Sequence, residues 1–365
     1  MKLIIPLLFS VLLLAGFASS CKHNPVTPNP KCDTCKCDTC KDTTHVPVDT
    51  TSHNFTWTQS TISGEAGLTG CWVFGPNNVY VVGGSVYKST DGQTWKDVTP
   101  STNSGPLSGQ LSGASMFGFT ENDYWLVAGD NLFHVLNGFA TYYSFGPSTI
   151  SGRFHSCWGT SSSDMYTVGD GGTILHFDGS TWTKMQSGTT GDLHSIWGTS
   201  DQNIWAAGYN DTKGTVAIVH FKGTSWQAID NSTLPGQIGG SGGDGVTTAW
   251  TVDSATSHRV YLAGAYLYKS IGGAVWSRDS GVIQNALSGG GFASLNFMAG
   301  NATNDYFVAG AGGFLSHWSG KSWSAYKQFF NFYSASHDCY GLSVKGNTVC
   351  MVGVDGAGWV VIGQR

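Results

Sequence analysis

Three of the eleven histidines recur at one place in the chain's internal pattern. His155 and His194 stand two residues ahead of Cys157 and Ile196, and His337 stands two ahead of Cys339. Arg153, Asp192 and Asp338 flank them. An imidazole beside a carboxylate can move a proton, and an imidazole beside a guanidinium can hold an anionic group. A second cluster lies in "KCDTCKCDTCK", residues 31–41, with Cys32, Cys35, Cys37 and Cys40. Two CxxC pairs could give four thiolates to zinc. Zinc sites, however, usually place about a dozen or more residues between the pairs, so that the chain can wrap the ion. Here Lys36 alone separates them, so the spacing favours oxidation within the segment or between chains over metal binding. No cofactor is expected.

What positions these groups begins with the N-terminus. Lys2 precedes an apolar run over residues 3–17, and "ASSC" ends it at Cys21. A membrane-spanning helix needs about 20 apolar residues, so the run is too short to span and fits a secretory signal. The ending resembles the lipobox of bacterial lipoproteins, with Ala18 where that motif usually has Leu. The resemblance implies that residues 1–20 are a signal peptide and that Cys21 becomes a lipid-modified N-terminus. Ordinary cleavage, leaving Cys21 a free thiol, is the alternative. Residues 21–53 then read as a cysteine-bearing linker rich in Pro, Thr, Asp and Lys. The expected location is the bacterial cell envelope, at the outer membrane, with the leaflet left open.

Asp and Glu number 23 against 18 Lys and Arg, a mild acidic excess with no electrostatic footprint for nucleic acid. Charged residues make up 11% of the chain, below the roughly 25% of ordinary soluble domains. Gly, Ser, Thr and Asn replace them, as in extracellular all-β proteins.

The remaining residues repeat. "CWGTSSSDMYTVGDGGTILHFDGSTW" at 157–182 returns as "IWGTSDQNIWAAG…AIVHFKGTSW" at 196–226. The same skeleton fits residues 71–95, 116–138, 249–276, 298–323 and 339–363. Its anchor glycines are Gly83, Gly129, Gly169, Gly208, Gly264, Gly310 and Gly353, a period of about 45 residues. Each copy predicts four short alternating strands, in the fourth copy at 193–198, 204–208, 216–221 and 225–229. The seventh copy stops before a fourth strand, and a spare strand, "HNFTWTQS", precedes the first. The expected fold is therefore an all-β, seven-bladed β-propeller of four-stranded blades over residues 54–365. The N-terminal strand closes the last blade, with Trp57 in the missing Trp place.

The pattern resembles bacterial secreted propellers with the repeat Trp-Gly…Val-Trp-x-Val-Gly…Gly-x-x-Trp. "STDGQTW" at 89–95 also resembles the Asp-box turn of sialidase-type and photosystem-assembly-type propellers, one residue short between Asp91 and Gly92. Asp boxes are structural turns. Sialidase chemistry is excluded, because the arginines are Arg153, Arg259, Arg278 and the terminal Arg365, with no Arg-Ile-Pro-like segment.

His134, His176, His220 and His317 fall at third-strand positions, with Tyr87 and Tyr268 assigned the same role. Such positions radiate along different spokes, so inter-blade hydrogen bonding is expected of them. Cys71, Cys157 and Cys339 share an inner-strand register and read as small core residues. A Cys71–Cys339 disulfide would need inner strands closer than the roughly 7 Å reach between Cα atoms. Insertions at 100–113, 209–214 and 231–245 gather in turn classes that open on one face. "YKQFFNFYSASH" at 326–337 adds aromatics, of which Phe329, Phe330 and Tyr333, if exposed, could stack on sugar rings or a partner; the alternative is that half of these aromatics pack under neighbouring blades.

The leading reading is a non-catalytic glycan- or protein-binding module at the envelope. One alternative is a polysaccharide-active hydrolase or lyase at the channel mouth, using His155, His194 or His337 with Asp192 or Asp338. The other is a structural docking subunit of an envelope complex.

Overall fold

The computed structural model describes residues 51–146, 149–150, 152–210, 215–235, 245–254, 257–284, 294–330 and 338–365. Cys21, Cys32, Cys35, Cys37, Cys40, Tyr333 and His337 lie outside the described residues.

Seven antiparallel meanders follow one another along the chain. Their inner strands begin at Gly70, Ser115, Phe154, Ser195, Val246, Leu295 and Asp338. Each inner strand touches those of both neighbouring blades, and the seventh returns to the first, so the blades form a closed ring. The fourth blade runs Ser195–Ser200, Asn203–Asn210, Thr215–Phe221 and Trp226–Ala228, within a few residues of the predicted strands. The seventh blade takes its outer strand, Thr56–Thr61, from the N-terminal side, paired antiparallel to Gly358–Gln364. Trp57 sits opposite Gly363, where a Cβ would run into the indole ring. A four-stranded sheet alone leaves both faces and both edges open; the ring covers the faces, and strand exchange closes the seam.

The anchor glycines have a steric cause. At six of the seven, a Cβ would back onto a carbonyl near the start of the blade's own inner strand, whereas Gly129 has open space there and takes a positive φ of 63°. A Cβ would collide with Arg153 O at Gly169, Asp192 O at Gly208, Ser294 O at Gly310 and Asp338 O at Gly353. Any side chain would force the two strands apart.

Four cysteines are buried free thiols among the described residues: Cys71, Cys157, Cys339 and Cys350. Cys71 donates to the Cys350 carbonyl at 3.3 Å, and burial pushes its thiol well up. All four are packing residues, as the shared inner-strand register of Cys71, Cys157 and Cys339 implies for those three.

One expected surface loop is a packing element instead. In the 100–113 insertion, Ser101–Thr102 and Gly105–Pro106 form a small hairpin on the outer edge of the second blade, making that sheet six-stranded. Leu107 and Leu111 from the same stretch are buried with Val82 and Met116. Two leucines in a glycine- and serine-rich loop can leave water only by folding it back onto the core.

Candidate functional site

Three of the inner strands carry an aromatic residue that meets its counterparts from the other two. They are Trp72 of the first blade, Phe117 of the second and Trp197 of the fourth. Their ring centroids are 4.9 Å apart for Trp72–Phe117, 6.3 Å for Trp72–Trp197 and 6.1 Å for Phe117–Trp197. The channel is thus floored by packed rings. The mouth above that floor is bordered by the residues that start the inner strands.

His155 and His194 are brought together at this mouth, with ring centroids 4.7 Å apart in an edge-to-face arrangement. Their partner is Asp170, which the sequence reading missed. It opens the tight turn Asp170–Gly172 between the second and third strands of the third blade. Its Oδ1 lies 2.6 Å from His155 Nε2, and its Oδ2 accepts the Arg153 N–H at 2.8 Å. Burial alone would raise the Asp170 carboxyl. The Arg153 N–H and the nearby His155 and His194 rings outweigh it and hold the group below the usual carboxylate range. In sequence, "GDGG" signals only a turn; nothing in it shows that the side chain folds back across the blade.

Asp192 and Asp338 do a different job. Asp192 Oδ1 accepts the N–H of Gly171 at 2.7 Å, and Asp338 Oδ1 accepts that of Gly312 at 3.1 Å. Gly171 and Gly312 occupy matching turns, Asp170–Gly172 and Ala311–Gly313, of the third and sixth blades. Each carboxylate therefore latches the blade it begins to the turn of the blade before. Other blades use a hydroxyl at the histidine position: Thr69 donates to Ala114 O and Thr247 to Leu295 O, both at 2.9 Å. Arg153 is exposed at the edge of this cluster.

The described part of the aromatic segment after the sixth blade, residues 326–330, is packed. Phe329 is 4% exposed and lies 5.0 Å from Trp57, and Phe330 stacks on Phe314 at 5.4 Å. Tyr326 is buried too and donates its hydroxyl to His53 O. These rings close the seam made by the N-terminal strand, so Phe329 presents no surface for stacking a sugar.

The third-strand histidines follow one rule. His134, His176, His220 and His317 each set Nε2 on the residue that opens the neighbouring strand: Asp123, Asp164, Asn203 and Asp305. Each ring also stacks on the aromatic directly across the ladder: Trp125, Tyr166, Trp205 and Phe307. These Nε2 bonds lie within a blade; the expected bond between blades is made by His317, whose Nδ1 lies 2.9 Å from the Nδ1 of His53, ahead of the seventh blade's outer strand. The first and fifth blades place Lys88 opposite Tyr80 and Lys269 opposite Tyr261 in this register. Tyr87 and Tyr268 are one residue out of phase and face the other way. Asp91 accepts the N–H groups of Gln93 and Thr94 at 2.8 and 2.7 Å, which makes "STDGQTW" a structural turn.

No protein-family model matches the chain, and no curated protein matches it by sequence. Solved structures do match its fold. "YCF48 bound to D1 peptide" superposes with a TM-score of 0.62 at 14% identity, covering 86% of this chain and 98% of that one. "YCF48 from Cyanidioschyzon merolae" gives 0.60 at 15% identity over 85% and 98%. At such identity the likeness establishes the propeller fold.

Proposed function

We propose that the protein is an exported, lipid-anchored, non-catalytic binding module of the cell envelope. It engages a polypeptide across the mouth of the ring that carries His155 and His194. The observation that carries this reading is the state of the carboxylates there: Asp170, Asp192 and Asp338 each accept a backbone N–H, from Arg153, Gly171 and Gly312. A general acid or base must be turned toward its substrate and exchange a proton with it. A carboxylate whose oxygen is taken up by a backbone donor is instead committed to the fold. The floor of Trp72, Phe117 and Trp197 favours recognition of a surface laid over the mouth rather than a ligand threaded through it.

A polypeptide is preferred to a glycan for two reasons. The aromatic segment that could have stacked on sugars buries Tyr326 and Phe329. A solved propeller of the same fold carries a bound peptide. Export and anchoring rest on the apolar leader and Cys21.

The test is affinity capture from bacterial envelopes with tagged full-length chain and with the His155→Ala/His194→Ala variant. One envelope protein retained by the first and lost by the second supports the reading. A glycan-array signal without such a protein would replace it with the glycan module, and turnover of a polysaccharide would replace it with the enzyme.

A further inference from the structure

The face opposite the mouth is built from turns. Each inner strand starts at the mouth, so the first-to-second and third-to-fourth turns of its meander lie together at the other end. In four blades the third-to-fourth turn is polar: "DGQT" at 91–94, "DGST" at 178–181, "KGTS" at 222–225 and "SGKS" at 319–322. Asp178, for example, closes its turn by accepting the N–H groups of Ser180 and Thr181 at 2.9 and 2.8 Å. The second and fifth blades break this rule. Their hairpins are tipped by cross-strand apolar pairs, Leu136 opposite Phe139 and Ile271 opposite Val275. Cross-strand partners share one side of the sheet, so each pair makes a single apolar knob. These four are 52%, 44%, 63% and 80% exposed, and they are four of the six large apolar side chains left exposed among the described residues. Single apolar residues scattered on a surface need no explanation, but two paired knobs on one face do.

The chain enters the ring on this same face. Thr51 donates its N–H to Ser319 O at 3.3 Å and its hydroxyl to Asn304 O at 3.0 Å, both in turns of the sixth blade. Ser52 O accepts from Arg365 Nη1 at 3.0 Å, where the seventh blade's third strand ends. The outer strand Thr56–Thr61 then runs from there toward the mouth. Residues 21–50 therefore join the ring at its turn face. An unstructured tether of that length keeps its ends about 30 Å apart. A lipid on Cys21 would bring this face to the bilayer ahead of the mouth.

We infer that the turn face lies against a phospholipid bilayer, with the Leu136–Phe139 and Ile271–Val275 tips entering it. The inference rests on the reading of Cys21 as the lipid anchor. The two tips stand three blades apart in a ring of seven, and the chain enters between the sixth and seventh. Tips and tether thus spread around the rim, and a flat surface meets all three at once. Charge on the polar turns is mixed, with Asp91 and Asp178 against Lys222 and Lys321, so the apolar tips supply the attachment. The mouth with His155 and His194 is then turned away from the lipid, toward its polypeptide partner.

The experiment places a photo-crosslinking amino acid at Phe139, Val275 or Arg153 of the full-length chain, in cells whose phospholipids carry radioactive phosphate. Labelled palmitate on the chain, lost in Cys21→Ser, reports the anchor separately. Phospholipid adducts from positions 139 and 275, and none from 153, are expected. Palmitate without those adducts overturns the inference and leaves the anchor standing. Adducts without palmitate uphold the face and overturn the anchor, and the absence of both signals overturns both. Polypeptide adducts in place of phospholipid at 139 and 275 would make this a protein-docking face and also overturn the inference.

Discussion

Trp72 and Trp197 reach inward from the first and fourth blades and meet at the ring axis, their centroids 6.3 Å apart. The two blades stand three apart around the ring, so this contact couples its opposite sides. Trp197→Ala should cost about 2–4 kcal/mol in urea unfolding, somewhat under the roughly 3–5 kcal/mol of fully buried aromatic truncations because Trp197 is only half-buried. A double-mutant cycle with Trp72→Ala should return a coupling of about 0.5–1.5 kcal/mol.

The seam between first and last strands should be the ring's most sensitive point. Trp57 packs on Tyr326 and Phe329 at 4.6 and 5.0 Å. Trp57→Ala should cost about 3–5 kcal/mol. Removing residues through Thr61 should expose the edge of Gly358–Gln364 and give association visible by light scattering.

The same seam should make stability depend on pH. Burial holds His53 and His317 below the ordinary histidine value of 6.5, with His317 further depressing His53. His53 faces His317, Ser322 and Arg365, and His317 faces Asp305, Phe55 and Phe307 as well. A base with a lowered folded pKa binds protons more readily when unfolded. Its contribution is therefore present above 6.5 and is lost as pH falls below that value. Asp305 is lowered despite its burial, held by His317, Asn301 and Arg365, so its share is lost only at still lower pH. Urea midpoints should fall between about pH 7.5 and about pH 5. His53→Ala should flatten that dependence.

The blade latches should be structural. Asp192→Ala or Asp338→Ala removes a charge-assisted bond to Gly171 or Gly312, and each should cost about 1–2 kcal/mol by urea unfolding.

Much of the ring was legible because its causes are local and repeated. Six of the seven anchor glycines recur since a Cβ would strike a carbonyl near the start of the blade's inner strand, and Trp57 announced itself as the tryptophan missing from the seventh copy. What failed to show depended on contacts between distant residues. Tyr87 and Tyr268 look equivalent to the histidines by eye. The ladder instead puts Lys88 and Lys269 across from the second-strand aromatics, a one-residue phase that only pairing reveals. Asp170 was hidden because a turn signal says nothing of where its side chain bends. The burial of Phe329 and Leu107 was not legible because apolar residues in irregular segments give no period from which to infer it.

The central claim is that partners are bound across the mouth of the ring. It is tested most directly by a photo-crosslinking amino acid placed in living cells at Arg153, beside His155, or at Tyr142, exposed on the second blade's outer strand. The account predicts a discrete polypeptide adduct from position 153 and none from position 142. An adduct from 142 alone, or none from 153, would contradict it.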